Sequence, residues 1–286
     1  MEIYFNKITI IGLGLIGGSI ALSLKEKNKN IQITGIGRNE ANLKKAKDKN
    51  IIDQYYLNPG DGVGDSDLII LATPVKTICS MISDIAPFVK KGAVITDVGS
   101  SKSSIINYVD KIKDKNFIFV GSHPMAGSEK KGVDNAAPNL FLNSICFVTK
   151  NKQTDPYFLN KIKELWIILG AAIIEISPED HDNIVALTSH LPHILAVALV
   201  NMVYDQNKNN QQIKLGISSG FKDTTRIASG DPDMWKDICI SNKTFILKKI
   251  NDLRLELFKM ETLIQMEDEE GLYKKFYNAK HCRDNL

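Results

Sequence analysis

Lys7-Ile8-Thr9-Ile10-Ile11-Gly12-Leu13-Gly14-Leu15-Ile16-Gly17 decides the fold of this 286-residue chain. Four of its first five residues are β-branched, which favours a strand. Three glycines follow at the spacing of a phosphate-binding turn, and a helical pattern opens across residues 15–27. Gly12 permits the tight turn, Gly14 lets backbone approach a pyrophosphate, and Gly17 lets the helix pack against the strand. Leu15 and Ile16 fall in the first helical turn, where backbone N–H groups lack intrahelical partners and favour an anion. The stretch predicts dinucleotide binding.

Outward from that loop, short β-branched runs at 31–36, 68–72, 94–97, 117–120, 145–149 and 171–176 alternate with helical patterns. Between two of them, Val75, Ile78, Ile82, Ile85 and Val89 recur at threes and fours, and Leu159, Ile162, Trp166 and Leu169 repeat the spacing. Such alternation predicts a parallel sheet with crossover helices over residues 1–177. Ser177-Pro178-Glu179-Asp180 then reads as a helix start: a capping serine, proline at the first helical position, and acids in the first turn. Residues 178–286 are expected to be helical throughout, most clearly at 189–204 and 244–266. In the last of these, Ile246, Ile250, Leu253, Leu257, Met260 and Ile264 form an a/d seam. The seam serves as an internal bundle face or a subunit interface, and a homodimer through this helical domain is the expectation.

Bulk properties narrow the class. The composition is 43% hydrophobic and 24% charged, with a net charge of +3. That balance lacks the basic excess expected of a nucleic-acid or membrane-surface partner. The longest apolar run, 191–203, carries Pro192, His193 and Asn201 and reads as too short and too polar to cross a bilayer. Cys79, Cys146, Cys239 and Cys282 are widely separated, as expected of reduced thiols in a cytoplasmic protein. No targeting segment is evident at the N-terminus. The lysine-rich 44–49 stretch reads as a solvated helix face.

The remaining motifs concern chemistry. Gly121-Ser122-His123-Pro124-Met125-Ala126-Gly127-Ser128-Glu129 follows a strand-like run, and Pro124 holds His123 extended. A histidine fixed at a strand exit beside glycines can take a proton near neutral pH. At the end of the second strand, Gly35-Ile36-Gly37-Arg38-Asn39 offers no acid for a ribose 2′-hydroxyl. Arg38 can instead meet a 2′-phosphate with Asn39 beside it, so NADP is favoured over NAD. Thr73 and Pro74, after the 68–72 run, should line the cofactor cleft, and Asp97-Val98-Gly99-Ser100-Ser101-Lys102 occupies the same kind of position one strand later. His190 and His193 share a helix face, which makes a metal pair conceivable, yet no third ligand has matching spacing and no metal is expected.

With the glycine loop, Gly99-Ser100-Ser101-Lys102, His123-Pro124-Met125-Ala126-Gly127, Ser189-His190-Leu191-Pro192-His193 and Phe221-Lys222-Asp223-Thr224-Thr225-Arg226 in that order, the chain resembles the prephenate dehydrogenase family. That family includes the arogenate and cyclohexadienyl dehydrogenases of tyrosine biosynthesis. The resemblance implies an α/β Rossmann-type dinucleotide-binding domain followed by an all-helical dimerisation domain. It implies oxidative decarboxylation of prephenate to 4-hydroxyphenylpyruvate, with hydride passing to NAD(P)+. By the same resemblance His123 is the catalytic residue, and Ser100 bonds the ring hydroxyl and helps hold His123. His193 and Arg226 bind substrate, while Ser128 and Glu129 line the entrance, where Asp223 joins Glu129 and Arg226 in an ionic gate. Arogenate is the alternative substrate; another Rossmann dehydrogenase and a non-catalytic dinucleotide sensor are more distant alternatives.

Overall fold

Alternating apolar residues and glycine-bearing turns build an eight-stranded sheet among the described residues of the computed structural model, which are 3–127, 132–150, 153–208, 210 and 212–285. The strands are β1 (Lys7–Ile11), β2 (Gln32–Ile36), β3 (Gln54–Tyr56), β4 (Leu68–Leu71), β5 (Val94–Asp97), β6 (Ile118–Pro124), β7 (Ile145–Thr149) and β8 (Ala172–Ile176). Their order is β3-β2-β1-β4-β5-β6-β7-β8. The order reverses between β1 and β4, the switch point where doubly wound sheets hold ligands.

Crossover helices α1 (Leu15–Lys27), α2 (Glu40–Asp48), α3 (Val75–Ile85), α4 (Ser103–Val109) and α5 (Pro156–Ile168) cover both faces. Period-two alternation sends Ile8, Ile10, Leu68 and Ile70 into one core, with Leu24 of α1 and Trp166 of α5. Ile11, Ile69, Leu71 and Ile95 enter the opposite core, with Ile78 and Ile82 of α3 and Ile105 of α4. Each fully buried isoleucine or leucine contributes roughly 1.5–3 kcal/mol of transfer free energy, so both sheet faces hold firmly.

The sheet departs from the expected parallel arrangement at one place. Residues 118–120 of β6 pair parallel with β5, but Gly121–Pro124 pair antiparallel with β7, His123 facing Phe147. The expected strand end at 120 is therefore too early, and His123 lies within β6 rather than beyond it. Pro124 is tolerated because it is the final strand residue, where a missing N–H costs little. β3 was not expected, since three residues give no period to read. The helix expected over 75–89 ends at Ile85.

Between β6 and β7 the chain folds back over α1. Ala137 N donates to Ser19 Oγ at 3.0 Å and Ser23 Oγ to the Pro138 carbonyl at 2.5 Å. A Cβ on Gly18 would lie 2.9 Å from that of Ala136. Lys45 of α2 and Lys49, which caps its C-terminus, pair with Asp134 at 2.5 and 2.8 Å, so the lysine face is partly engaged rather than simply solvated.

After β8 come α6 (Pro178–Val185), a π-helical turn (Ala186–His190), α7 (Leu191–Asn207), α8 (Gln212–Leu215), α9 (Ser219–Thr225), α10 (Pro232–Ser241), α11 (Lys243–Gln265) and α12 (Glu269–Asp284). Ser177 Oγ accepts from Asp180 N at 3.1 Å, the cap expected from sequence. The apolar 191–203 run is longer than its sequence suggested: residues 178–207 form one helical stretch, long and apolar enough by length and composition to cross a membrane. It also carries His181, Asp182, His190 and His193, all buried within the protein. On α11 only Ile246 of the seam is buried, whereas Leu257 and Ile264 are 56% and 61% exposed.

Candidate active site

Parallel strands β1, β4, β5 and β6 bring Gly12, Thr73, Ser100 and His123 to the same edge of the sheet. Gly12 has φ +99°, and a Cβ there would sit 2.5 Å from the Ala72 carbonyl oxygen, so the turn requires glycine. A Cβ on Gly17 would collide with the Gly12 carbonyl oxygen. At Gly14 a Cβ would meet no protein atom within 4 Å. The protein itself therefore places no steric demand there, and the open space leaves room for a ligand to approach the backbone. Gly14 is the N-cap of α1 and supplies no side-chain cap, and the first turn holds no acid. The N–H groups of that turn, with Leu15 and Ile16, suit a pyrophosphate. Thr73 Oγ1 is buried without a protein partner beside this loop, and its methyl would lie 3.1 Å from a Cβ on Gly12. Pro74 ends the same connection as the N-cap of α3. These features fit a dinucleotide.

Arg38, at the end of β2, is exposed and has no ion pair among the described residues. Asn39 caps α2, its Oδ1 accepting from Asn42 N at 3.1 Å. Its amide N–H groups and a second lone pair of Oδ1 remain for a ligand.

His123 is 8% exposed, and its Nδ1 lies 2.8 Å from His181 Nε2. His181 Nδ1 lies 2.8 Å from Asp182 Oδ1. Asp182 also accepts from Lys102 N at 2.7 Å and Ser103 N at 2.9 Å. Burial pushes the Asp182 carboxyl up, but the His181 hydrogen bond and the two amides outweigh it and hold the group below its ordinary value. An ionised carboxylate only accepts, so His181 Nδ1 carries the proton and its Nε2 accepts from His123 Nδ1–H. His123 Nε2 is then the unprotonated nitrogen. Burial first, then the charges of His181, Lys102 and His190, hold His123 well below its usual 6.5, so the ring is neutral near pH 7. The chain Asp182–His181–His123 thus presents a base with a fixed tautomer.

His181 and Asp182 were missed in the sequence, where the segment after Ser177 reads as capping and first-turn charge. Their signal was a histidine and an acid one turn into a helix that directly follows the last strand. Ser100 was expected to help hold His123. Among the described residues no hydrogen bond joins them; the His123 Nδ1 is engaged by His181 instead.

The helical part supplies the other expected groups. His193 is 5% exposed and stacks on Trp235, centroids 3.4 Å apart and planes at 13°. His190 Nδ1 faces the Asn242 amide at 3.2 Å, and the same amide donates to the Asp182 carbonyl at 2.8 Å. Burial lowers His190 to about 4. Both histidines are thus held by aromatic or amide neighbours. Arg226 follows α9, exposed and without an ion pair among the described residues. The expected Asp223–Arg226 pairing is therefore absent, and Ser128 and Glu129 lie outside the described residues.

Comparison with known proteins bears on this geometry. The family described as "Prephenate dehydrogenase, nucleotide-binding domain" matches residues 20–175, and "Prephenate dehydrogenase, dimerization domain" matches 177–278. Prephenate dehydrogenase of Bacillus subtilis is 37% identical, with 98% of this chain and 76% of the relative covered. The crystal structure of A. aeolicus prephenate dehydrogenase with hydroxyphenyl propionate and NAD+ superposes with a TM-score of 0.94 at 33% identity, covering 100% and 99% of the two chains. Synechocystis arogenate dehydrogenase gives 0.84 at 30% identity, covering 98% and 99%.

Proposed function

The chain belongs to the prephenate dehydrogenase family, and from that premise we propose that it oxidatively decarboxylates prephenate to 4-hydroxyphenylpyruvate in tyrosine biosynthesis. The observation carrying this reading is the Asp182–His181–His123 chain, which ends in an unprotonated Nε2 at the sheet edge shared with the glycine loop.

A nicotinamide dinucleotide, held by Gly12, Gly14, Leu15, Ile16, Gly17, Thr73 and Pro74, supplies the hydride acceptor when bound. His123 Nε2 accepts the hydrogen bond of the ring hydroxyl and takes its proton as hydride leaves the same carbon. The bond to the ring carboxylate then breaks, CO2 departs, and its electron pair completes the aromatic ring. The phenolate formed regains the proton from His123, so no proton is gained or lost overall. Asp182 stabilises the transient cation across the two rings, as a buried acid does for a base in a triad. Ser100 is assigned the second hydrogen bond to the hydroxyl. Arg226 is assigned a substrate carboxylate, since it is a cation with no protein partner among the described residues. His193, braced on Trp235, is assigned to the same substrate wall, with Ser128 and Glu129 at the entrance.

NADP is proposed as the preferred cofactor, because Arg38 is an exposed, unpaired cation where an acid would otherwise meet the ribose. A homodimer through residues 178–286 is supported by uncovered apolar residues such as Met202, Tyr204, Leu247 and Phe258, each more than half exposed. The four cysteines are free thiols, which supports a cytoplasmic setting. The deciding assay supplies prephenate or arogenate with NAD+ or NADP+ and follows reduced cofactor. Fastest turnover of prephenate with NADP+ is expected, and no turnover in any combination defeats the reading.

A further inference from the structure

Lys102 is a lysine with no exposed surface, paired with an equally buried Asp97. Lysines are almost never buried this completely unless they are paired, as Lys102 is. Its contacts are unusual in what they join. Lys102 Nζ donates to the Ser122 carbonyl at 2.8 Å, and Asp97 Oδ1 accepts from Ser122 N at 3.3 Å. Both backbone groups of the residue before His123 are therefore held by this one ion pair. Asp97 Oδ2 also accepts from Gly99 N at 2.8 Å, which fixes the start of the loop carrying Ser100. The backbone N–H of Lys102 reaches Asp182, at the far end of the histidine relay.

The topology explains why a side-chain pair is needed here. Parallel pairing with β5 stops at Val120, while β6 runs on to Pro124 against β7. On the β5 side, the peptide of Ser122 has no strand to bond, and an unpaired buried peptide is costly. Asp97 and Lys102 stand in for the missing strand. Paired hydrophobic residues of like volume would serve stability as well or better, but they could not bond that peptide.

We propose that Lys102 and Asp97 are a positioning pair for the proton acceptor, setting His123, the Ser100 loop and Asp182 in one frame. This rests on the family reading of the reaction. The charged and titratable groups facing His123 are His181 and Asp182 from α6, His190 from the π turn, Cys146 from β7, and Lys102 with Asp97. Among these, Lys102 acts with burial to keep His123 neutral.

The test is the double substitution Asp97→Asn/Lys102→Met, which leaves no unpaired buried charge. Wild type assayed with prephenate in parallel separates the two ideas: if wild type is inactive, the reaction assignment has failed instead. For the double variant, kcat should fall about a hundredfold, while cofactor Kd and KM stay within about threefold. The acid limb of the kcat/KM profile should move to higher pH. A purely structural pair would lower Tm alone; kcat within about threefold of wild type and an unmoved pH profile overturn the proposal. Should the double variant not fold, Asp97→Glu, which keeps both charges but displaces the carboxylate, replaces it, with about a tenfold loss of kcat expected and wild-type kcat again overturning the proposal.

Discussion

His123 and His181 meet nitrogen to nitrogen at 2.8 Å, edge to face at 69°, with Asp182 behind them. The proton on each nitrogen follows from the carboxylate at the end of the chain. Asp182→Asn should therefore leave the geometry largely intact and present His181 with a wrong donor. Turnover is expected to fall about 10²–10⁴-fold, as for a triad with its acid amidated, with cofactor Kd little changed. Steady-state kinetics beside calorimetric cofactor titration checks this; an unchanged kcat would show the relay to be idle.

Arg226 is free to bind a carboxylate with both arms of its guanidinium. Arg226→Ala should raise the apparent KM for prephenate by about a hundredfold, equivalent to a lost charge-assisted bond of roughly 3 kcal/mol. Arg226→Lys should recover only part of that, because a point charge lacks the fork. A larger effect on kcat than on KM counts against a binding role.

The glycine loop separates two kinds of demand. Gly14→Ala should leave Tm nearly unchanged yet weaken the cofactor at least about tenfold, since only a ligand is crowded there. Gly17→Ala, where the Cβ runs into the Gly12 carbonyl, should cost folding stability as well, by about 1–3 kcal/mol. Thermal melts with and without cofactor distinguish them. Equal melting losses at both positions would contradict the assignment of Gly14.

Four histidines, His123, His181, His190 and His193, are held below their ordinary 6.5, each chiefly by burial. Below about pH 6.5 the unfolded chain binds protons that the native protein refuses, so stability falls as pH falls. The slope approaches about 1.4 kcal/mol per pH unit for each histidine in that window. Urea melts between pH 7.5 and 5 should show the loss beginning near 6.5, about at the ordinary histidine value. A flat profile would mean that these rings are solvated.

Arg38→Asp should shift preference from NADP+ toward NAD+ by trading a cation for a ribose acceptor. The ratio of kcat/KM for the two cofactors reports it directly, and an unmoved ratio removes Arg38 from specificity.

Local patterns carried much of this protein. Strands β1, β5 and β7 and helix α1 follow from β-branched runs and glycine turns alone, and Gly12 and Gly17 declare their roles by spacing. What stayed hidden depends on partners distant in sequence. His123 continues in a strand only because β7 arrives from the other side. His181 and Asp182 sit in a helix start whose acids have a sufficient local explanation as capping charge. Lys102 reads as one member of a strand-end motif beside the cofactor cleft, and its ion pair becomes visible only when Asp97 and Ser122 close over it.

The reversal of direction at β7 has an evolutionary consequence. A parallel crossover would carry the chain after His123 away to the opposite rim. Here the connection to β7 stays on the catalytic rim and is pinned to α1 through Ser19 and Ser23. Because both its ends lie at that rim, insertions or exchanges in its described part, 132–144, fall outside the strands and leave their register untouched.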